Sequence, residues 1–505
     1  MVHETSLEPE PGDCPVCGVG SAAHGGPHAH GGEGEPTACP ACEGLMTVDE
    51  ATGPYTRQLA EYIDGLSYED LPEPVIEKAK GAVFDYLGAA LAGSVWPHAR
   101  RALGVVRSLG GVPESTILGT REKTAADRAA FLNSLFGSSA PQLDDVYKDS
   151  LGHPGVGTIP AALAIGERVN GGGKQVITAI VGGYEAATRI GAAVGREAFD
   201  RGWHPRAGCN VFAAAVASAK LLRLESPETY CAVLGLAGNR ASGLTSAAFF
   251  HEAFYTLSGN ASRDGVEAAL LAEAGYDAGC TILENEYGGY CRVVCDNPDW
   301  SRLTENLGEQ FGILGVAQKP YSSCMCAHAA IDATLSIVEQ HDIRPRDVER
   351  IRVQGFKELT ETFGQPYPEN PVHATMSIPY LVSVAITDRQ VLPSQLERLT
   401  DREVASLQER VELVLDPELE RLYPHYMGAT VEIGTTDGAR HQVSVRIPKG
   451  DPENPLLLEE LRDKFRNLAR EILDPDAVEE AVEMIDALEN LADIGALTSV
   501  LRCLR

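Results

Sequence analysis

No stretch of about 18 uninterrupted apolar residues occurs in the 505-residue chain, which excludes a membrane-spanning helix. The N-terminal residues lack the basic start and apolar run of a secretory signal, and a cytoplasmic protein is therefore expected. Positive charge is scarce: Lys and Arg number 42 against 72 Asp and Glu, a formal net charge of -30. That balance excludes nucleic acid and anionic membrane surfaces as partners, because the long-range field repels both. An anionic small molecule must then be held by a local cluster of Arg, Lys and His. No strand precedes a glycine-rich helix start, so Gly171-Gly172-Gly173 reads as a loop rather than a nucleotide cradle. No internal repeat occurs. In a cytoplasmic chain the 12 cysteines read as thiols or metal ligands, not as a disulfide framework.

The chain is long enough for two or three domains, and its 44% hydrophobic residues suffice for a large core. Residues 1–50 differ from the rest, being rich in Gly, Pro and Glu with almost no large apolar side chains. Such a segment cannot bury enough surface to offset its ordering entropy and is expected to lack a core of its own. It carries Cys14-Pro15-Val16-Cys17 and Cys39-Pro40-Ala41-Cys42, with His24, His28 and His30 between them. Two matched knuckles fit a four-thiolate structural zinc site at Cys14, Cys17, Cys39 and Cys42, and metal binding would fold the segment. A closed four-ligand site of this kind leaves no open position for catalysis.

From 55 to 314 the periodicity is helical, with apolar positions at three and four spacing over 75–92, 159–169, 176–194, 212–224 and 230–237. These helices are full of Ala and Gly. Glycine costs a helix about 1 kcal/mol relative to alanine, so its recurrence points to close approach between helices. From 315 to 449 the pattern is α+β. A helix spans 331–340, and alternating strands fall at 348–353, 429–433 and 442–447, the last two joined through the hairpin signal Asp437-Gly438. A linker at 448–455 leads to helices over 456–505 that are expected to rejoin the first domain. The fold class read from this is mainly α: a large all-helical domain plus an inserted smaller α+β domain with an antiparallel sheet.

Between 142 and 332, patches of small residues alternate with groups suited to proton chemistry. One patch reads Leu143-Asp144-Asp145 and then His153-Pro154-Gly155. A second reads Gly202-Trp203-His204-Pro205-Arg206, and a third Lys319-Pro320-Tyr321-Ser322-Ser323-Cys324 followed by His328 and Asp332. Polar groups recurring between helices too apolar to lie at a surface predict a buried polar pocket, where proton affinities are shifted.

With Lys220 after an Ala-rich helix and Ser377-Ile378-Pro379-Tyr380, these elements resemble the MmgE/PrpD family over roughly residue 55 to the C-terminus. The resemblance implies an active site between two domains, a homodimer and no organic cofactor. It also implies small di- and tricarboxylate substrates from which a proton next to a carboxylate is moved, with dehydration, decarboxylation or epimerisation following. His153, His204 and Lys319 match the family's active-site positions. Other positions depart from it. Decarboxylase-type members carry Asp where Gln142 stands and Thr where Val146 stands, and a Lys and a His where Phe254 and Leu257 stand. Phe249, Phe250 and Phe254 would then line a more apolar pocket suited to a less charged substrate.

In this reading His153 and His204 supply the base and Lys319 stabilises the developing enolate-like charge. Tyr321 delivers a proton, and Asp145 with Asp144 orients an imidazole or raises its proton affinity. Arg206, Gln142 and Phe254 bind substrate, Arg206 by gripping a carboxylate with two hydrogen bonds. Plainer roles compete. Asp144-Asp145 could be a helix N-cap pair, the two imidazoles could cap helix ends, Lys220 could snorkel, and Cys324 and Cys326 could be buried filler rather than thiolates. The expected function is a cofactor-free, dehydratase-like lyase acting on a small carboxylic acid. The alternatives are an epimerase or isomerase of a dicarboxylate, and a non-catalytic scaffold whose zinc knuckle contacts a partner. Metal analysis of the purified protein should find about one zinc per chain, lost when the paired cysteines are changed to serine; metal-free protein would remove this assignment.

Overall fold

A computed structural model of the chain describes residues 54–139, 143–248 and 251–502. The paired cysteines Cys14, Cys17, Cys39 and Cys42, together with Gln142, Phe249 and Phe250, lie outside the described residues. The first core is helical. It is built from α1 (Tyr55–Gly65), α2 (Glu73–Gly93), α3 (Ala126–Ser139), α4 (Gly155–Val169), α5 (Gly173–Asp200), α6 (Asn210–Leu221), α7 (Pro227–Gly238) and α8 (Ala253–Glu273). A short ribbon of β1 (Ser115–Thr116) and β2 (Lys123–Thr124) precedes α3.

α6 is the axis of this body, packed against α4, α5, α7 and α8. Every residue of it except Lys220 is buried, which its Ala-rich sequence permits because small side chains let neighbouring backbones approach from all sides. Lys220, read as snorkelling, donates instead to the carbonyls of Ile63 (2.9 Å) and Asp64 (3.2 Å) at the end of α1. The glycine pattern has its physical cause at Gly265 of α8. A Cβ there would lie 2.5 Å from Ala214 Cβ and 2.6 Å from the Val211 carbonyl oxygen.

One expectation is corrected. Cys231 of α7 and Cys280 form a disulfide, with Cα atoms 4.8 Å apart across a separation of 49 residues. The reading of every cysteine as a thiol or metal ligand had no way to register a pair that only the tertiary fold brings together. The other described cysteines are free thiols. The second core carries the expected small sheet with antiparallel pairs, four strands in the order β6-β5-β7-β8, to which one parallel edge is added. β5 (Val348–Gly355) pairs antiparallel with β7 (Ala429–Thr435), which turns at Gly438 (φ 89°) into β8 (Arg440–Val445). β6 (Val411–Leu415) joins the edge parallel to β5. Its Val-Glu-Leu-Val-Leu sequence carries only a weak alternation, so its strand signal is faint.

β7 alternates buried and half-buried residues along its length, burying Val431 and Ile433 against α9 (His328–Gln340). α9 packs in turn on α10 (Ile378–Asp388). The chain then returns to the helical body: α11 (Leu458–Ala469) lies along α2, with Phe465 and Phe84 in edge contact at 5.8 Å between ring centres. Burying a phenylalanine stabilises by about 1.5–3 kcal/mol, so this contact is a firm anchor for the last helices.

Replacing Gly265 with Val should destabilise the protein by about 1–3 kcal/mol, read as a lower midpoint of thermal or denaturant unfolding, because neither Ala214 nor the Val211 backbone can give way. An unchanged midpoint would show that the two helices are not in close contact at this point.

Candidate active site

A two-stranded ribbon sets the geometry of the site. β3 (Val146–Tyr147) pairs antiparallel with β4 (Val316–Ala317), Val146 opposite Ala317 and Tyr147 opposite Val316. Continuing that register places Asp144 opposite Lys319. Tyr147 also pairs with Gly152 through reciprocal backbone hydrogen bonds of 2.8 and 3.2 Å, so the intervening chain doubles back, with Leu151 in the left-handed region (φ 56°). The reversal returns His153 to the side of Asp144 and Asp145. Pro154 then leads into α4, and the Gly155 N–H donates to both Asp145 carboxylate oxygens at 3.1 Å. Tyr184 OH donates to Asp145 Oδ2 at 2.7 Å. Only glycine fits at 155, where a Cβ would lie 2.7 Å from Tyr184 OH and 2.8 Å from Asp145 Oδ2.

Asp144 organises the charges. Its Oδ2 accepts from Arg206 Nη1 at 2.6 Å and lies 3.0 Å from His153 Nδ1, while Lys319 Nζ stands 3.9 Å from Oδ1. All these groups except the rim of His153 are removed from solvent. Burial alone would raise the Asp144 carboxyl, but Arg206, His153 and Lys319 hold it well below the ordinary carboxylate range. Asp145, buried without a cation of its own and facing Asp85 and Asp144, is pushed up to about 7. Burial also lowers the Lys319 ammonium, against the pull of Asp144.

The two imidazoles present opposite faces of the same chemistry. His153 Nδ1 faces two acceptors, the Asp145 carbonyl at 2.5 Å and the Asp144 carboxylate, and so carries the ring proton. Its Nε2 keeps the lone pair. His204 heads the helical turn Pro205–Gly208, and its Nδ1 accepts the Arg206 N–H at 3.2 Å, which puts its proton on Nε2. Burial and the nearby Arg206 charge lower both rings, His153 to about 4 and His204 well below the ordinary imidazole value. One neutral ring thus offers an acceptor and the other a donor.

His153, His204, Lys319 and Phe254 all line one cavity of about 90 Å³ between the helical body and the sheet-bearing part. Room of that size suits a small molecule, not a polymer. Three expectations for site residues are corrected by their placement. Arg206 does not line the cavity: it lies behind Phe254, its guanidinium 4.7 Å from the ring centre, and Asp144 occupies it. Asp145 also stands behind the wall, where its carboxylate anchors the start of α4, the capping role that competed with catalysis. Tyr321 is turned away, donating to Asp332 Oδ1 at 2.5 Å and packing on the buried His328 at 5.2 Å between ring centres. A tyrosine spent on a carboxylate outside the cavity delivers no proton within it.

The structure adds Glu358 and Tyr423, which sequence reasoning passed over, and it places Cys324 and Cys326, weighed there as buried filler or thiolates, in the same cavity wall. Arg196 of α5 donates to Glu358 Oε2 at 3.0 Å and to Tyr423 OH, joining the two parts of the chain across the pocket. Glu358 and Tyr423 stand in stretches with no neighbouring motif, so no local signal marked them. The Cys324 thiol is lowered by its hydrogen bond with Cys326 and by the Lys319 charge. Among the described residues no group of three or more His, Cys, Asp or Glu side chains is placed to hold a metal ion.

Changing Asp144 to Asn should cost about 3–5 kcal/mol of stability, because Arg206 and Lys319 would be left as uncompensated buried cations. The midpoint of unfolding checks this, and a loss below about 1 kcal/mol would place the pair in solvent instead.

Comparison with known proteins agrees with this geometry. Residues 57–303 match the MmgE/PrpD N-terminal domain and residues 321–490 the MmgE/PrpD C-terminal domain. The chain is 28% identical over 472 residues to a cis-aconitate decarboxylase of Aspergillus terreus, covering 89% of this chain and 96% of that protein. It is 27% identical over 483 residues to the cis-aconitate decarboxylase-like protein oryM of Aspergillus oryzae, covering 90% of this chain and 99% of that one. The cis-aconitate decarboxylase of Homo sapiens is 26% identical over 471 residues, covering 88% and 94%. With both domain models matched across most of its length, the chain belongs to the MmgE/PrpD family.

Proposed function

We propose that the protein is a lyase that removes water from a small 3-hydroxy carboxylic acid after taking a proton from the carbon next to the carboxylate. The observation that carries this reading is the pair of complementary imidazoles beside a buried ammonium group. Lys319 Nζ has no hydrogen-bond partner among the described residues and lines the cavity, so a substrate carboxylate can lie against it. Charge that builds on that carboxylate as the proton leaves is stabilised where it forms, in surroundings of low dielectric.

His153 Nε2 accepts the Cα proton. The imidazolium that results is stabilised by Asp144, already 3.0 Å from Nδ1, without any rearrangement. A proton affinity as low as about 4 makes His153 a reluctant base, so the step leans on Lys319 to acidify the carbon. The Cβ–O bond then breaks, and His204 Nε2–H gives its proton to the departing hydroxyl. The products are water and a 2-enoic acid, with one proton gained by His153 and one lost by His204. Return of that proton between the rings or through solvent resets the site. The names of the relatives favour a second reading, in which the carboxylate leaves as CO2 and His204 protonates the carbon it vacates.

Deuterium exchange into candidate acids, followed alongside enoate absorbance and CO2 release, separates these outcomes. Exchange with water loss supports the first reading and CO2 release the second; exchange alone indicates epimerisation, and neither exchange nor CO2 release with any acid would remove catalysis altogether. His153→Ala should cut exchange by about 10²–10⁴-fold. The base must be neutral to act, and its proton affinity in the folded protein is about 4. kcat/KM should therefore fall as pH drops through about 4 and stay level up to neutrality. An acid limb near 6.5, the value of an unperturbed imidazole, would show that the buried ring is not the base.

A further inference from the structure

The charges around the cavity narrow the ligand further. Among the described residues its wall holds one cation, Lys319, and one carboxylate, Glu358. Glu358 is already matched, since Arg196 Nη1 donates to its Oε2 at 3.0 Å and Tyr423 OH donates to the same oxygen. Behind the wall, Asp144 is a single negative charge shared between Arg206 at 2.6 Å and Lys319 at 3.9 Å. Lys464, which supports the Lys319 backbone, is neutralised by Asp85 at 2.6 Å. Both imidazoles are neutral at physiological pH. Asp145, pushed up to about 7 behind the same wall, adds only part of a negative charge, so at most one uncompensated positive charge is left for a ligand.

Apart from the Cys324 and Cys326 thiols and the Tyr423 hydroxyl, which is spent on Glu358, most of the remaining wall is hydrocarbon and thioether: Phe199, Phe254, Met325, Phe363, Met376 and Met427. A tricarboxylate would bring three negative charges to that one cation, and its other two carboxylates would be stripped of water against aromatic rings with nothing to receive them. An acid with one carboxylate and an apolar body meets the same surface with its charge paired and its hydrocarbon buried. Such a ligand also argues for loss of water over loss of CO2, since decarboxylation would consume the only group that Lys319 holds.

We propose that this site selects a monocarboxylate with a hydrocarbon body, its carboxylate on Lys319 and its chain along the Phe and Met wall. The ligand class stands on charge and shape; its conversion rests on the lyase reading above. Arg196 and Glu358 then act as a specificity device. They contribute no net charge while paired, and removing the carboxylate would release a second cation beside the cavity.

Calorimetric titration of the full-length protein with trans-2-hexenoate and with cis-aconitate, at matched ionic strength, tests the proposal. Hexenoate should bind about tenfold or more tightly, and equal or tighter binding of cis-aconitate would overturn it. Glu358→Gln should strengthen cis-aconitate binding by about tenfold, with an unchanged circular-dichroism spectrum reporting an intact fold. No gain for cis-aconitate in that variant would overturn the specificity role. Water loss from 3-hydroxyhexanoate is followed separately. A hexenoate preference without turnover leaves the ligand class standing and removes the lyase reading. Turnover of a tightly bound tricarboxylate removes the ligand class and leaves the lyase reading intact.

Discussion

One buried carboxylate holds the candidate site together. Asp144 touches Arg206 from the turn after α5 and His153 from the loop before α4, and it faces Lys319 from the far strand of the β3–β4 ribbon. Two buried cations without it would each carry a large desolvation penalty, and an isolated carboxylate would be driven to take up a proton. The three elements are therefore stable only as a set. The same contacts decide chemistry, because Asp144 and the Asp145 carbonyl fix which nitrogen of His153 is free. Packing and tautomer choice have one cause here.

Much of this could be seen in the sequence where a local rule applied. Helical periodicity located α2, α4, α5, α6 and α7 to within a few residues, because amphipathic and small-residue spacing is a property of the segment itself. The Asp437-Gly438 turn gave the β7–β8 hairpin for the same reason. His153, His204 and Lys319 stood out as polar groups in small-residue surroundings, and they meet at one cavity. Relations set by three-dimensional distance were hidden. The Cys231–Cys280 bond, the parallel β6 edge and the Arg196–Glu358–Tyr423 bridge all join residues far apart in the chain without a spacing rule. Arg206 was misjudged because residue type suggests a carboxylate grip, whereas only the fold reveals that the carboxylate is internal. Tyr321 failed likewise: Asp332, eleven residues on, claims its hydroxyl.

The pocket combines two environments that rarely coexist without design. Its polar groups cluster at His153, His204 and Lys319, and aromatic and methionine side chains fill most of the remaining surface. Low dielectric strengthens the pull of Lys319 on a carboxylate and weakens both imidazoles as bases. The first effect favours loss of a proton beside the carboxylate and the second disfavours its acceptance, so the two oppose each other in a proton transfer. Phe254 contributes to both environments, facing the cavity while its ring covers the Arg206 guanidinium at 4.7 Å.

Lys464 of α11 lies beneath all of this. Its ammonium donates to the Leu143 carbonyl (2.9 Å), to the Lys319 carbonyl (2.7 Å) and to Asp85 (2.6 Å), fastening the backbone segments that carry Asp144 and Lys319. The fastener comes more than three hundred residues after Asp144 and well over a hundred after Lys319. During translation the floor of the crevice therefore stays unsecured until the final helices emerge. A chain cut short ahead of α11 would lack this fastener, and with it the Leu461 and Phe465 side chains that the helical core buries.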